Sequence, residues 1–331
     1  MIFSGKTPKA ILAALAGLVL LGLVLGFFWS AEPDFFDVPT NQENMLTARQ
    51  LKPVIGTATT ATLITVAQTL LDKPGGYLSN DILPPGLWLD NIPNWEFGVL
   101  VQVRDISKVM RESFSRSQSQ SVEDRDLIEA EPGFNAPNDR WWLPASENQY
   151  RQALVAMSSY LGRLADPLDR QAQFFARADN LNRWLTNVES RLGSLSQRLS
   201  ASVAQQRANT DLAGEARSAQ STPGASELRV KTPWLEIDDV FFEARGSAWA
   251  LVHLLRAVQI DFHDILADKN AEASMEQIIR ELESSQQTVF SPMILNGSGF
   301  GVLANHSLVM ASYISRANAA LIDLRALLAQ G

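Results

Sequence analysis

The chain has 331 residues, of which 46% are hydrophobic and 19% are charged, and its formal net charge is −8. An acidic balance argues against a nucleic-acid partner, which would need clustered lysine and arginine. The absence of cysteine excludes disulfides, thiolate metal sites and cysteine nucleophiles, and only three histidines are present. We therefore predict no cofactor, no metal site and no nucleic-acid partner, and we assign no catalytic residue.

An apolar segment near the N-terminus has the length of a membrane span. From Ala10 to Trp29 there is no charged or polar side chain. A helix of this length covers about 30 Å, which is the thickness of the hydrocarbon layer. The alternative is a cleaved signal peptide, but the nearest small-residue site would place Trp29 where cleavage needs a small side chain. We predict an uncleaved transmembrane helix over residues 10–29.

The charges on either side of this segment predict its orientation. Lys6 and Lys9 precede it, and acidic residues follow it at positions 32, 34 and 37. Because basic residues stay in the cytoplasm, residues 1–9 should form a cytoplasmic tail and the bulk of the chain should lie outside. In a bacterium this means the inner membrane and the periplasm, an oxidising compartment that a cysteine-free domain suits.

Two glycines in the predicted span form a G-x-x-x-G motif. Gly22 and Gly26 would let two transmembrane helices approach closely, which predicts a possible homo-oligomer through this helix. The alternative interpretation is that glycine is common in such spans.

The remainder is predicted to be one all-α domain over residues 41–331, a helical bundle joined to the span by an extended spacer at residues 30–40. Residues 42–71 carry a helical pattern that Pro53 weakens, and a loop rich in proline and glycine follows. The next apolar stripe predicts a helix because its steps are three or four residues: Trp95, Val99, Val103, Ile106, Met110 and Phe114. A strand over residues 95–104 is the alternative, since apolar residues also alternate there.

A heptad pattern occupies residues 174–199 and predicts a long helix. Its flanking positions hold no complementary charge pairs for a parallel dimer, so packing within the chain is favoured over a coiled coil between chains. A flexible loop is predicted over residues 205–232, and a second long helix follows Pro233. The two helices predict a long antiparallel hairpin. Two further helices are expected near residues 271–287 and 302–329.

Several side chains are candidates for interaction with a partner. Trp141 and Trp142 lie in a loop between two prolines, and consecutive side chains of an extended segment point to opposite sides. We therefore expect one of the two rings to be buried and the other to anchor a partner. The polar stretch before the acidic segment contributes Arg116, Gln118 and Gln120, which are candidates for binding a polar partner.

The densest acidic cluster spans residues 123–131 and includes four candidate site residues: Glu123, Asp124, Asp126 and Glu131. Carboxylates of this density could bind a hard cation, but the segment lacks the alternating Asp/Asn pattern and central glycine of a calcium loop. The favoured interpretation is a solvated acidic face.

Several short motifs resemble one known family. They are residues 75–81, 84–86, 94–100, 115–121, 123–127 and 130–132. Together these motifs resemble a domain-of-unknown-function family of proteobacterial single-pass inner-membrane proteins with a periplasmic domain. The resemblance implies the topology above and assigns no activity.

Three functions remain open. The leading hypothesis is a membrane-anchored periplasmic protein that scaffolds or modulates an envelope assembly. The alternatives are an envelope hydrolase or lyase acting on peptidoglycan or lipid through the acidic segment, and a periplasmic ligand-sensing module that signals through a membrane partner. An exposed aromatic patch would favour the scaffold, a buried carboxylate pair in a cleft the enzyme, and a closed pocket the sensor.

Overall fold

The computed structural model describes residues 7–118, 120–208, 227–291, 293–298 and 301–330. The helices are α1 (Thr7–Trp29), α2 (Val38–Thr47), α3 (Thr57–Asp72), α4 (Asn91–Val109), α5 (Arg125–Phe134), α6 (Ser146–Ala165), α7 (Ala178–Ser200), α8 (Ile237–Asp261), α9 (His263–Asp268), α10 (Glu272–Ser284) and α11 (His306–Ala329). A short antiparallel hairpin pairs β1 (Gln205–Ala208) with β2 (Glu227–Val230). The all-α prediction is confirmed. Of the predicted flexible loop 205–232, residues 209–226 lie outside the described residues.

Helix α8 is the centre of the bundle. It contacts α2, α3, α4, α7, α10 and α11. Its side chains are buried around most of the circumference, as expected for a helix with neighbours on every side. Its closest neighbour is α4, and Gly98 and Gly246 lie at their crossing. A Cβ on Gly98 would overlap the carbonyl oxygen of Glu243, and one on Gly246 would overlap that of Trp95, so glycine is required where the two backbones meet.

Helices α4 and α8 begin at the same end of the molecule. The Asn94 side chain donates to Asp239 near both N-termini, 2.7 Å away, and Ser247 Oγ donates to the Gly98 carbonyl, one turn further along α4 and about two turns further along α8. The end of α1 lies at this same end, which is called the α1-proximal end below. α4 continues at the opposite end into a π-helical turn, Met110–Phe114. Residues 95–104 are therefore helical, and the strand alternative is wrong.

The heptad stripe of α7 is buried within the chain, which confirms the intrachain interpretation. Its main partner is α11, where Arg325 binds Glu189. The contact between α7 and α8, the predicted hairpin pair, is smaller and includes an ion pair between Arg198 and Glu243.

The predicted helix 42–71 is two helices. The chain turns at Gly56, where φ is 94°, and the Thr57 hydroxyl donates to the Val54 carbonyl. The predicted spacer 30–40 is also shorter than expected, because α2 already begins at Val38. Asp37 caps this helix by accepting from the Thr40 N–H at 2.9 Å, and a proline is compatible with the first helical turn.

Candidate functional site

The segment that follows α1 is bound along α8 and is called the strap (residues 30–37). Glu32 meets Arg245 of α8, and Phe36 meets His253 eight residues further along the same helix. Four extended residues cover about 13 Å and eight helical residues about 12 Å, so the strap and α8 stay in register. The predicted spacer is thus a docked part of the fold.

Arg245 holds the first half of the strap. Its side chain is 8% exposed and donates to both carboxylate oxygens of Glu32, with Nε–Oε1 at 2.7 Å and Nη2–Oε2 at 2.6 Å. Its other nitrogen donates to the carbonyls of Ser285 and Gln287 at 3.3 and 3.0 Å. Because Arg245 is almost buried, its five N–H groups need partners, and Glu32 together with the two carbonyls satisfies four of them. One guanidinium therefore ties the strap to α8 and to the segment after α10.

His253 holds the second half. It is fully buried, its ring stacks on Phe36 with centroids 4.0 Å apart, and its Nε2 accepts from the Phe36 N–H at 3.1 Å. Nδ1 lies 2.8 Å from the Trp249 carbonyl, so the hydrogen bonds assign the proton to Nδ1. Burial lowers the pKa of His253 to about 4, with nearby Arg256 acting in the same direction. The imidazole is therefore neutral at pH 7, as acceptance from Phe36 requires.

A cleft of about 660 Å³ opens between the end of α1, the strap, α8 and residues 286–291 and 293–294. Five aromatic side chains contribute to its walls: Phe27, Phe28, Phe35, Phe242 and Trp249. Arg245 and Glu32 contribute a paired charge to the lining, and Asp238 a carboxylate. The combination suits a ligand with an apolar body and a polar end.

Two carboxyl groups near the start of α8 have pKa values above the ordinary value for aspartate. Burial, followed by the charges of Asp238, Asp90 and Glu236, raises the pKa of Asp239 to about 6. Burial also raises the pKa of Asp238. The Asn94 amide donates to Asp239. The proximity of four acidic side chains is therefore the main electrostatic feature at the N-terminus of α8.

The glycine face of α1 is covered by the same chain. Gly22 and Gly26 are buried, and a Cβ on Gly22 would lie 2.8 Å from the Trp88 ring. A Cβ on Gly26 would lie 3.4 Å from Leu89. The predicted packing surface of this helix is thus filled by the loop before α4. A second copy of α1 would have to displace that loop.

A buried ion pair shapes the loop between α3 and α4. Lys73 and Glu96 lie 2.6 Å apart with side chains 1% and 0% exposed. The Glu96 carboxylate also accepts from the N–H groups of Leu78 and Ser79, and Lys73 donates to the Gly76 carbonyl. Burial raises the pKa of Glu96 while Lys73 and these donors oppose the rise. Glu96 therefore organises the backbone that leads to residues 82–89.

Trp141 and Trp142 are both exposed, at 53% and 66%, so the expectation that one of them is buried is wrong. The segment bends instead of running extended, and the two rings pack edge to face on each other with centroids 5.3 Å apart. The neighbouring Arg140 carbonyl accepts from the Asn80 amide at 2.9 Å. The tryptophan loop therefore borders the loop that Glu96 organises.

The acidic segment is paired with arginines rather than free. Arg163 binds Asp124 and Asp126 at 2.6 and 2.7 Å, while Arg111 binds Glu123 and Glu131 at 3.1 and 2.6 Å. Asp124 also caps α5 by accepting from two backbone N–H groups. Through these ion pairs the four carboxylates connect the end of α4, α5 and α6. The interpretation of the segment as a solvated acidic face therefore does not hold for these four residues.

The polar candidates lie beside this arginine network. Arg116 is 3.5 Å from Glu123, and Gln118 and Gln120 are exposed. The Ser117 carbonyl accepts from Arg177 just before α7, whereas the Arg140 carbonyl accepts from Asn80 in the loop before α4, so the polar candidates and the tryptophan loop lie at opposite ends of α4. The structure therefore does not bring the predicted interaction residues together.

The residues that bind the strap and organise the loops were missed by the sequence analysis. Each of Glu96, Arg245 and His253 stands directly between two apolar residues of a helix. That isolation was the available signal, because a charged or polar side chain on a buried face needs a partner.

The fold and the site define a class: an all-α protein whose helical body is fixed against an N-terminal apolar helix. α1 is long and apolar enough to cross a membrane, by length and composition. The chain belongs to a family of uncharacterized proteins conserved in bacteria, DUF2333, whose model matches residues 4–331. This confirms the resemblance at the level of the family. No curated protein and no solved structure matches the chain significantly.

Proposed function

We propose that this protein is a single-pass inner-membrane protein whose periplasmic helical body scaffolds or modulates an envelope assembly without catalysing a reaction. Support for the span comes from α1, in which every residue from Lys9 to Leu21 is exposed although nearly all are apolar. Apolar surface of this extent is unfavourable in water and suits lipid. The bacterial family is compatible with this location.

The observation that carries the proposal is the docked strap. Glu32 and Phe36 are bound within eight residues of α1, so the body has a fixed position relative to the helix. An enzyme that searches for scattered substrate benefits from a flexible tether, whereas a scaffold must present its surface at a defined height and angle. A rigid connection between α1 and the helical body therefore supports the scaffold hypothesis.

Orientation is tested with reporter fusions and N-terminal sequencing. A reporter fused after Gly331 should be active only outside the cytoplasm, and the mature chain should retain residues 1–31. Activity of a cytoplasmic reporter at this position would refute the orientation. A mature N-terminus near Glu32 would refute the anchor.

We propose Trp141 and Trp142 as the contact for a second envelope protein. Exposed tryptophans are common anchors at interfaces, and this pair adds apolar surface without serving the core. Crosslinking in intact membranes, followed by mass spectrometry, should recover a partner that the double alanine variant loses at an unchanged melting temperature. Trp234→Ala is the matched control, because Trp234 is 75% exposed at another site. Retention of every crosslinked partner by the double variant would remove these residues from the proposal.

The cleft is open rather than the closed pocket expected of a sensor, but its volume and lining support a second candidate, the ligand-sensing module. A volume of about 660 Å³ is sufficient for a small molecule, and Phe27 and Phe28 would connect a bound ligand directly to α1. Native mass spectrometry of the purified protein should then detect a small molecule that Ala31→Trp displaces by filling the cleft. A ligand-free spectrum of freshly extracted protein would count against the sensor. The hydrolase or lyase gains no support from the four candidate carboxylates of the acidic segment, since these are bound to Arg111 and Arg163.

A further inference from the structure

The loop that covers the glycine face of α1 has a composition unlike the rest of the surface. Residues 82–89 read Ile-Leu-Pro-Pro-Gly-Leu-Trp-Leu, without a charged or polar side chain except the indole N–H, and Asp81 and Asp90 flank them. Four of these side chains are between 49% and 71% exposed: Ile82, Leu83, Leu87 and Trp88. In water this would be an unusual concentration of exposed apolar surface.

The position of the loop is set by α1. Trp88 lies against Gly22, which precedes Trp29 by seven residues or about 10 Å along the helix. Leu89 and Pro85 lie against Gly26. Any bilayer that surrounds α1 up to Trp29 must therefore also surround the tip of this loop.

The backbone of the loop is suited to a medium without water. Pro84 and Pro85 have no N–H group. The next three N–H groups after Gly86 are bonded within the loop, with Leu87 donating to Leu83 at 3.1 Å, Trp88 to Pro85 at 2.9 Å and Leu89 to Gly86 at 2.9 Å. Unsatisfied backbone donors are costly in hydrocarbon, so this arrangement lowers the penalty of burial in lipid.

We propose that residues 82–89 insert beside α1 into the lipid leaflet that faces the helical body, as a second membrane contact. The occupant of this apolar surface is lipid. Asp81 and Asp90 limit the depth of insertion because their charges stay at the interface, while the Trp88 ring reaches below it beside Gly22. The Lys73–Glu96 pair holds the base of the loop, so the insertion is built into the fold. This inference rests on the proposed function, in which α1 spans the membrane.

The natural chain has no cysteine, so single-cysteine variants of the full-length protein each carry one nitroxide spin label. Leu87→Cys reports on the loop, and Leu83→Cys is a second reporter in case the first variant folds poorly. Leu18→Cys reports on α1, where Leu18 is 63% exposed. Leu168→Cys is the matched water-exposed control, because Leu168 is a 90% exposed leucine that follows α6. The last turn of α6 meets Asp124, in the segment after the π-helical turn at the end of α4 opposite α1.

Power-saturation spectroscopy in vesicles of phosphatidylcholine and phosphatidylglycerol compares collisions with oxygen, which enters lipid, and with a nickel chelate, which stays in water. The oxygen-to-nickel ratio at Leu87 and Leu83 should be several-fold higher than at Leu168 and close to that at Leu18. If Leu18 is in lipid while both loop labels match Leu168, the insertion is refuted and the anchored function stands. If Leu18 also matches Leu168, the anchor itself fails and the insertion fails with it.

Discussion

Two regions of the protein use carboxylates in opposite ways. The acidic segment at 123–131 is prominent in the sequence, and its side chains form partly exposed pairs with Arg111 and a less exposed pair with Arg163 at the rim of the bundle. Glu96 is inconspicuous, a single carboxylate between Trp95 and Phe97, yet it is completely buried against Lys73. The density of charge along the chain is thus a poor guide to its structural consequence.

The reason is desolvation. A surface pair exchanges water for a partner in a high-dielectric surrounding, so its net contribution is small. A buried charge depends entirely on its partner and its hydrogen-bond donors, so removing one member leaves the other uncompensated. Arg245 and His253 resemble Glu96 because they too are buried and depend on specific partners. Four tests compare the loss of stability expected at these sites with that expected in the acidic segment.

The largest effect is expected from Glu96→Gln. It leaves the buried Lys73 ammonium without its counter-charge, which should lower the free energy of unfolding by about 3 to 5 kcal/mol. Thermal and denaturant unfolding in detergent measure this. The double variant Glu96→Gln/Lys73→Met should recover part of the loss, since it removes both charges. A double variant no more stable than the single one would contradict an ion-pair explanation.

Arg245→Met should cost about 1.5 to 3 kcal/mol, because hydrogen bonds to charged groups are lost while the apolar stem is retained. Release of the strap should also make residues 30–37 accessible to protease while the helices of the body remain protected. Arg280→Met is the control, since Arg280 forms only an exposed pair with Glu276. Equal protection of the strap in both variants would mean that Arg245 does not hold it.

Acid should loosen the second half of the strap through His253. The folded pKa, about 4, lies below the ordinary value near 6.5, so the stabilising contribution is complete above pH 6.5 and declines as the pH falls towards 4. About 2 kcal/mol should be lost between pH 7 and pH 5. Asp239 acts in the opposite direction, because its raised pKa favours the folded state as the pH falls.

The readout for His253 is therefore the difference between the natural chain and His253→Gln, in which the contribution of Asp239 cancels. Glutamine can still accept from the Phe36 N–H and does not titrate. The variant should lose less stability than the natural chain between pH 7 and pH 5. Parallel stability curves would exclude His253 as the origin of the acid sensitivity.

The smallest effect is expected from Glu123→Gln, the same chemical change as at Glu96 but in the acidic segment. Its side chain is 28% exposed and the partner arginine 26%, so the loss should stay below about 1 kcal/mol. High salt should reduce this loss further while leaving the loss at Glu96 largely unchanged, because screening is weaker for buried pairs. A loss as large as that at Glu96 would overturn the comparison.

Much of the fold was predictable because helices are encoded by local periodicity. The stripes that begin at Trp95, at residue 174 and after Pro233 predicted α4, α7 and α8, and the apolar run after Lys9 predicted α1. Boundaries failed where a local cap outweighed the pattern, as at Asp37, which starts α2 inside the predicted spacer. The tryptophan prediction failed because it assumed an extended segment, and the chain bends there instead.

The sequence by itself determined the helical class, the positions of most helices and the apolar N-terminal helix. These follow from the spacing of apolar residues and from proline and glycine positions within a few turns. The tertiary structure alone decided that Glu32 meets Arg245 and Phe36 meets His253, across 213 and 217 residues of chain, and that residues 82–89 cover the glycines of α1. Such pairings depend on which helices pack together, and a local pattern carries no record of a partner so far along the chain.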